Sequence, residues 1–361
     1  MEKINTRKKI VYTTIGIILV AVLSVIAIEI IFQIASWIFP ESNIYKQGPN
    51  PLRIMEYDSF TLWKLKPDVD ASIILSDGDT ISVQTNDLGL DDVGFRDDGT
   101  NDSVYAIVLG DSFTFGAVNM TDTWVEKLES KTGKDFINMG VSGYSTLQSE
   151  KQMEKYGTEL KPELVVVQFY FNDIDGNYLL TPKMREVRNW LLWNTKTYSL
   201  VRYFKYQVLD SPSSTSITYN DDKFNFTFQP ELLPRKETIE SESVKKGLVI
   251  TEDSLIRIKN LSDSINAKMI VVIMPSKEQV YGHLISDKIP GFNEINLDYY
   301  TNTIYQICQE NALTCIDLTH SFRKHSENTQ LFYSIDTHLN VNGNELAAEE
   351  VYKFLQSEGL L

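Results

Sequence analysis

The stretch VLGDSFTFG, residues 108–116, places Ser112 directly after an apolar run. A serine between a buried strand and a helix can act as a nucleophile if a base takes its proton and donors face the developing oxyanion. The same serine could instead cap the helix, because serine favours the N-cap position. The stretch matches neither Gly-x-Ser-x-Gly nor Gly-x-Gly-x-x-Gly, so it predicts neither that nucleophile elbow nor a dinucleotide-binding loop. Other parts of the chain must decide between a nucleophile and a cap.

The chain has four histidines that could serve as the base: His283, His320, His325 and His338. Only His338 has an acid at short spacing, because Asp336 precedes it by two residues in SIDTHLN. An acid that orients a histidine and stabilises its imidazolium form completes a catalytic triad with a serine. Taken alone, the pair has a second interpretation, in which Asp336 caps a helix and His338 lies on the surface.

Oxyanion donors are predicted at two further places. In NMGVSGYST, residues 138–146, Gly143 follows a short predicted strand, where a bare backbone N–H can approach a ligand. In QFYFNDI, Asn172 ends an apolar strand, and a side-chain amide there is well placed to donate, although Asn172 and Asp173 could also form a turn or a cap. The amide of Ser112 is a third donor, at a helix N-terminus.

Polar residues beside these candidates could support them: Asp111, Asp173 and Asn340. A single Asp-x-His pair supplies too few ligands for a metal-dependent enzyme, so we expect no metal. We also expect no cofactor.

An α/β pattern positions these residues. The apolar runs VYAIVL, DFINM, ELVVVQFYF, AKMIVVIM and TCIDL show no alternation, and they are separated by amphipathic segments such as DTWVEKLESKT, which Gly133 would end. Such strands indicate a parallel sheet covered by helices on both faces. The predicted fold is an α/β three-layer sandwich with a central parallel sheet, whose ligands bind at the carboxyl ends of the strands.

The N-terminus predicts a membrane anchor. A basic tail, residues 1–9, precedes a run without charge from Ile10 to Ile28, which is long enough to cross a bilayer. The positive-inside rule places the tail in the cytoplasm and everything after Phe39 outside. A cleaved signal peptide, cut after Ala27, is the main alternative, and a buried core helix is a third. The apolar pattern continues to Phe39, which favours an uncleaved anchor over residues 10–39 of a single-pass membrane protein.

Two segments interrupt the α/β pattern. Residues 40–100 are predicted to be a linker and a small β extension, in which the turn SDGD joins two alternating runs as a hairpin. Residues 101–361 form the predicted catalytic domain, with an insertion at about 177–245 that we expect to be helical first and then loop. This aromatic insertion could be a lid over the site or a peripheral packing element.

Composition bounds the remaining possibilities. The 361 residues carry a net charge of −15, which argues against a nucleic-acid partner. The hydrophobic fraction of 42% is ordinary for a globular protein. Cys308 and Cys315 either form a disulfide or are two separately buried thiols, and their spacing does not decide between these. The sequence does not settle the oligomeric state.

The order of these blocks resembles the SGNH (GDSL-type) hydrolase family, and so implies a flavodoxin-like version of the predicted sandwich. Strand-GDSF, strand-NxGxSG, strand-xxND and loop-DxH match the four family blocks in sequence. The resemblance implies that Ser112 is the nucleophile, that Ser112, Gly143 and Asn172 form the oxyanion hole, and that His338 is the base with Asp336 as its acid.

The resemblance covers about residues 104–361, and TNDLGLDDVGFRDD upstream is similar to the lead-in of a membrane-anchored branch of the family. Two positions depart from the family pattern. Tyr170 stands where the third block usually has glycine, and the last block is Asp-x-His instead of Asp-x-x-His. The shorter spacing resembles acetyltransferase-like relatives that act on cell-surface polysaccharides.

The resemblance therefore implies an extracytoplasmic, membrane-anchored, serine-dependent ester hydrolase. Its expected substrates are short acyl esters, above all acetyl esters, of a glycan or another surface molecule. Two alternatives stay open at this point. One is an O-acyltransferase acting on surface polysaccharide, and the other is a non-catalytic protein of the same fold that binds glycan or assists assembly.

Overall fold

The structure, a computed structural model, describes residues 6–38, 54–90, 92–97, 99, 104–180, 190–191, 194–195, 197 and 216–361. The strands within this part of the chain are β1 Met55–Asp58, β2 Leu62–Leu65, β3 Asp70–Ile74, β4 Thr80–Gln84, β5 Ala106–Leu109, β6 Phe136–Asn138, β7 Leu164–Phe169, β8 Ile217–Asn220, β9 Asn225–Phe228, β10 Lys268–Ile273 and β11 Thr314–Asp317. The α-helices are α1 Thr6–Ile38, α2 Ser112–Phe115, α3 Trp124–Thr132, α4 Thr146–Gln152, α5 Thr158–Leu160, α6 Asn172–Leu180, α7 Lys236–Ile239, α8 Glu242–Ser264, α9 Lys277–Tyr281, α10 Tyr299–Glu310, α11 Thr319–Ser326 and α12 Val341–Ser357.

Within the described residues, five strands form one parallel sheet in the order β11–β10–β7–β5–β6. The chain runs from β5 outward to β6 and then returns to β7 on the other side of β5, so the strand order reverses between β5 and β7. Ligands of open α/β sheets bind at such a reversal, outside the carboxyl ends of the strands. Ser112 follows β5 and Asn172 follows β7, so both predicted site residues lie at this point. The predicted fold class is confirmed.

Both faces of the sheet are buried, as the continuous apolar strands predict. In β5, Val108 packs into the cluster that contains Trp124 and Val351 from α3 and α12. The neighbouring Leu109 points to the opposite face and packs into a cluster with Leu255 from α8 and Ile304 from α10. Burial of each such side chain contributes about 1.5–3 kcal/mol, so the central strands are held firmly from both sides.

The segment from 54 to 97 is more than a linker. Its antiparallel hairpins, β1–β2 and β3–β4, contribute Met55, Leu65 and Val83 to a third apolar cluster. That cluster also contains Phe115 from α2 and Val141 from the loop after β6. The predicted SDGD hairpin is confirmed as the turn between β3 and β4, whereas β1–β2 was not predicted. The extension therefore packs against the carboxyl edge of the main sheet.

The insertion differs in part from its prediction. Its end was expected to be loop, and this is wrong for β8 and β9, which form a hairpin. Phe226 and Phe228 in β9 are fully buried, and Phe226 packs against Tyr281 with ring centroids 4.5 Å apart. The alternation of aromatic and polar residues in this strand is the period-2 pattern of a half-buried hairpin. Most of the stretch expected to be helical lies outside the described residues.

Helix α1 contains the candidate membrane span, Val11–Ala35, whose residues are not buried inside the protein. Its length and composition suit a membrane-spanning helix, and a signal sequence has the same properties. Elsewhere, Cys308 in α10 and Cys315 in β11 are free thiols. A hydrogen bond between these two thiols raises the pKa of Cys308, together with its burial.

Candidate active site

Ser112 is the first residue of α2, directly after β5, and it is not the helix cap. Asp111 fills that role, because its Oδ1 accepts a hydrogen bond from the Phe113 amide at 2.8 Å. The Ser112 hydroxyl is thus free to interact elsewhere, and its Oγ lies 2.7 Å from Nε2 of His338. This is the nucleophile–base geometry that an activated serine requires.

His338 is held by Asp336 through two contacts to the same carboxylate oxygen. The backbone N–H of His338 donates to Asp336 Oδ1 at 2.9 Å, and its ring Nδ1 also hydrogen-bonds this oxygen. The short Asp-x-His spacing therefore still lets the acid reach the ring. Burial opposes ionisation of Asp336, but the hydrogen bonds and charge of His338, together with the charge of Lys277, bring its pKa below the usual value. The structure thus brings together the three residues predicted to form the triad.

Lys277 holds the loop that carries Asp336 and His338. The lysine side chain is fully buried, and its Nζ lies 2.9–3.3 Å from the four successive carbonyl oxygens of residues 333–336, to which it donates. Burial lowers the pKa of Lys277, and the carboxylates of Glu278, Asp336 and Asp77 oppose that shift. Lys277 does not line the pocket; it positions the loop.

Asp77, in the turn between β3 and β4, also holds this loop. Its two carboxylate oxygens accept hydrogen bonds from the backbone N–H groups of Ile335, at 2.7 Å, and Asp336, at 2.9 Å. The predicted support residue Asn340 fixes the chain after the histidine. It caps α12 by accepting from the Gly343 amide at 3.1 Å, and its side-chain amide donates to the carbonyl of Gln330 at 2.8 Å.

Of the three predicted oxyanion residues, Ser112 lines the pocket beside His338, whereas Gly143 and Asn172 are not among the lining residues. Gly143 has φ of +80°, a conformation that glycine adopts without strain, and it follows Ser142, which lines the pocket. Asn172 begins α6, and its side chain acts to lower the pKa of the buried carboxyl group of Asp111, the residue before Ser112. Trp63 was not predicted: its indole N–H donates to the Ser142 carbonyl at 3.2 Å and so holds the turn that contains Gly143.

Two buried acids lie beside the site. Burial raises the pKa of Asp111, against the opposing effects of the Phe113 amide, the charge of His338 and the side chain of Asn172. Burial and the charge of Asp111 raise the pKa of Asp173 well above its usual value, although Thr146 donates to this carboxyl at 2.8 Å. Asp111 and Asp173, two of the predicted support residues, are therefore buried beside the site and do not line the pocket.

Aromatic packing explains the departure at Tyr170. Its ring lies 4.0 Å from that of Phe113, centroid to centroid, and Phe113 in turn packs 5.2 Å from the His338 ring. Tyr170 is 4% exposed, so its side chain is packed against α2, the helix that carries Ser112. It is not among the residues that line the pocket.

Arg96 holds the segment that follows α2, the helix that carries Ser112. Its buried guanidinium donates to the carbonyls of Phe115, Gly116 and Val118, and to that of Ser82 in β4 at 3.2 Å. Burial lowers the pKa of Arg96 to about 10. Arg96, like Lys277, supports the site from behind and does not line the pocket.

Close backbone approaches set the shape of the turn, and the sequence did not reveal them. A Cβ on Gly140 would lie 2.3 Å from the Phe115 nitrogen, and a Cβ on Gly110 would lie 2.4 Å from Thr114 Oγ1. Gln168 in β7 adds a polar anchor, because its Oε1 accepts from Thr114 Oγ1 at 2.9 Å. These glycines let β5, β6 and α2 meet without a side chain between them.

A pocket of about 130 Å³ opens at the triad. Its polar lining comprises Ser112, Ser142, Asp336 and His338. The rest of the lining is apolar or lacks a side chain: Ile54, Met55, Ile73, Leu75, Ile81, Phe115, Gly116 and Ala117. In the described part of the chain, no group of three or more His, Cys, Asp or Glu side chains is placed to hold a metal ion.

Comparison with known proteins places this site in a family. The model of the GDSL-like lipase/acylhydrolase family matches residues 108–346. Similar solved structures include a lipolytic protein of the G-D-S-L family from Veillonella parvula, 13% identical, covering 70% of this chain and 99% of that one with a TM-score of 0.41. An acetylxylan esterase from Geobacillus stearothermophilus is 14% identical, covering 73% and 97% with a TM-score of 0.40. A search of curated proteins found no match. The matched family model spans most of the chain, which therefore belongs to the GDSL-like lipase/acylhydrolase family of ester-hydrolysing enzymes.

Proposed function

We propose that Ser112, His338 and Asp336 form the catalytic triad of a hydrolase for short acyl esters. The observation that carries this proposal is the continuous contact from Ser112 Oγ to His338 Nε2 and from His338 Nδ1 to Asp336. His338 takes the hydroxyl proton while Ser112 Oγ attacks the ester carbonyl. His338 then gives the proton to the leaving alcohol, and an acyl-serine remains. A water then gives a proton to His338 as it attacks the acyl group, and His338 returns that proton to Ser112 Oγ as the acid leaves.

The oxyanion formed in each step would be held by the backbone N–H of Ser112, that of Gly143 and the side-chain amide of Asn172. The Ser112 amide lies at a helix N-terminus, where the backbone N–H groups have no partner in their own helix. Loss of one such donor typically costs about 10²–10³ in kcat. Asp336 keeps its charge beside the imidazolium that forms, consistent with the lowered pKa of this carboxyl.

We further propose that the enzyme works outside the cell, anchored by α1, on acyl esters of a glycan or another surface molecule. The basic residues before the apolar span support this orientation by the positive-inside rule. To test it, the full chain is expressed in a bacterium, and intact spheroplasts are treated with a protease. We expect the protease to degrade the catalytic domain, which would show that the domain lies outside. Before protease treatment, we expect the apparent mass of the protein to match that of the uncleaved chain. Full protection in intact spheroplasts, with degradation after lysis, would contradict the orientation.

The catalytic proposal is tested with the full chain in detergent, by hydrolysis of p-nitrophenyl esters. We expect Ser112→Ala and His338→Ala each to lower kcat by at least about 10⁴-fold, because removal of a triad member leaves only the oxyanion donors and binding. His325→Ala is the matched control, since this histidine lies on α11 with its ring against the Ser321 carbonyl. Equal ester hydrolysis by wild type and Ser112→Ala, in folded protein, would refute the triad.

A further inference from the structure

The β3–β4 hairpin presents one apolar face to the triad. Ile73 and Ile81 are direct cross-strand partners, and both line the pocket at Ser112 together with Leu75. Side chains alternate between the faces of a strand, so the neighbouring Ile74 lies on the other face, where it is 64% exposed. The hairpin thus turns a row of aliphatic side chains toward the nucleophile.

The hairpin is fixed in this position by polar contacts at its turn and in the middle of β4. At its turn, Asp77 accepts two backbone hydrogen bonds from the loop of Asp336. In β4, the Ser82 amide donates to Asn119 Oδ1 at 3.0 Å, and the Ser82 carbonyl accepts from Arg96 at 3.2 Å. The wall is therefore a built part of the site.

The pocket is larger than an acetyl group needs. An apolar cavity of roughly 150 Å³ holds a benzene molecule. The pocket at Ser112 has about 130 Å³, with Ile54, Met55 and Phe115 completing its apolar wall, so it has room for a chain of about four to six carbons. Burial of apolar atoms in such a wall is favourable, whereas hydroxyl groups there would lose their hydrogen bonds.

We propose that this pocket binds the acyl chain of the ester and selects chains of about four to six carbons over acetyl. This inference rests on the proposed function and deepens it. If the alcohol part is a sugar, its hydroxyls do not suit the aliphatic wall, and the acyl chain is the part of the substrate that does. This proposed preference for longer acyl groups differs from the expectation of acetyl esters, which came from the family resemblance.

The test compares p-nitrophenyl acetate, butyrate and hexanoate with the full chain in detergent. Each methylene buried contributes about fourfold to kcat/KM, so we expect hexanoate to exceed acetate by at least about tenfold. Ile73→Trp fills the pocket and should lower the hexanoate-to-acetate ratio by about tenfold or more. Ile74→Trp, the same change on the exposed face, should leave the ratio as in wild type. Leu75→Ser, which makes the wall polar without adding volume, should also lower the ratio.

Three results would overturn the inference while leaving Ser112-dependent hydrolysis in place. The first is a preference of the wild type for acetate. The second is an equal change in the ratio for Ile73→Trp and Ile74→Trp. The third is an equal kcat/KM on the three p-nitrophenyl esters, together with a preference for hexyl acetate over ethyl acetate that depends on Ile73. That result would place the alcohol part of the ester in the pocket. Failure of the proposed function looks different, since Ser112→Ala would then match wild type on every ester.

Discussion

Asp77 offers a sharp test of how the N-terminal extension serves catalysis. It lies in the β3–β4 turn, far in sequence from the triad, and its carboxylate accepts the backbone N–H groups of Ile335 and Asp336. Asp77→Asn removes the charge and leaves only one good acceptor for these two donors. The loop that presents Asp336 to His338 should then lose part of its fixed geometry.

The size of the effect follows from these two contacts. A hydrogen bond to a charged group contributes about 1.5–3 kcal/mol when buried. The turn is half-exposed, so water can replace part of each contact in the variant. We therefore expect a loss of about 1.4–2 kcal/mol in transition-state stabilisation, equivalent to about 10- to 30-fold in kcat. Because Asp77 acts through Asp336, acetate and hexanoate rates should fall by the same factor, and KM should change little.

The assay is hydrolysis of both p-nitrophenyl esters by the full chain, with kcat and KM determined separately. Asp79→Asn is the matched control, because it removes the same charge from the same turn at an exposed position without these contacts. A kcat for folded Asp77→Asn within about twofold of wild type would refute the reasoning, since a twofold change is only about 0.4 kcal/mol. An equal fall in Asp79→Asn would also refute it, because the effect would then belong to charge and not to the two hydrogen bonds.

Three further predictions concern the site and its support. Asp336→Asn should lower kcat on p-nitrophenyl esters by about 10³–10⁴-fold, because an amide neither fixes the histidine tautomer nor stabilises the imidazolium; a loss under about tenfold would contradict this. Gly140→Ala should cost about 1–3 kcal/mol or more in urea unfolding, since its Cβ would meet the Phe115 nitrogen, whereas Gly282→Ala, with 3.6 Å to its nearest neighbour, should be tolerated. Asp173 has a raised pKa in the folded state, so wild type should lose stability as pH rises from about 4 through that raised pKa. Asp173→Asn should lack this loss. The free energy of unfolding of the variant minus that of wild type, measured by urea titration, should therefore be larger at pH 7 than at pH 4. A difference that does not change with pH would contradict the prediction.

The sheet and the order of its elements were predictable because their signals are local. An unbroken apolar strand such as VVVQF can only be buried on both faces, and Gly133 ends α3 with φ of +65°, as its position predicted. The end of the insertion was less predictable, because β8 and β9 are short and their aromatic residues gain their burial only by packing on distant residues such as Tyr281.

The residue types of the site were also present in the sequence, but the sequence left each with a second interpretation. Whether Ser112 is a cap or a nucleophile depends on which side chain reaches the helix N-terminus, and Asp111 does. Whether Asp336 can serve His338 at the short spacing depends on loop geometry, which contacts from Lys277 and Asp77 impose.

The sequence by itself therefore determined the fold class, the apolar N-terminal span and the small set of residues able to do ester chemistry. Periodicity and residue type carry that information within short windows of the chain. Only the tertiary structure decided that the hairpin at Asp77 belongs to the site, that Ile73 and Ile81 form its wall, and that Lys277 and Arg96 lie behind it. These contacts join residues that are distant in the chain, and no local pattern specifies which of them meet.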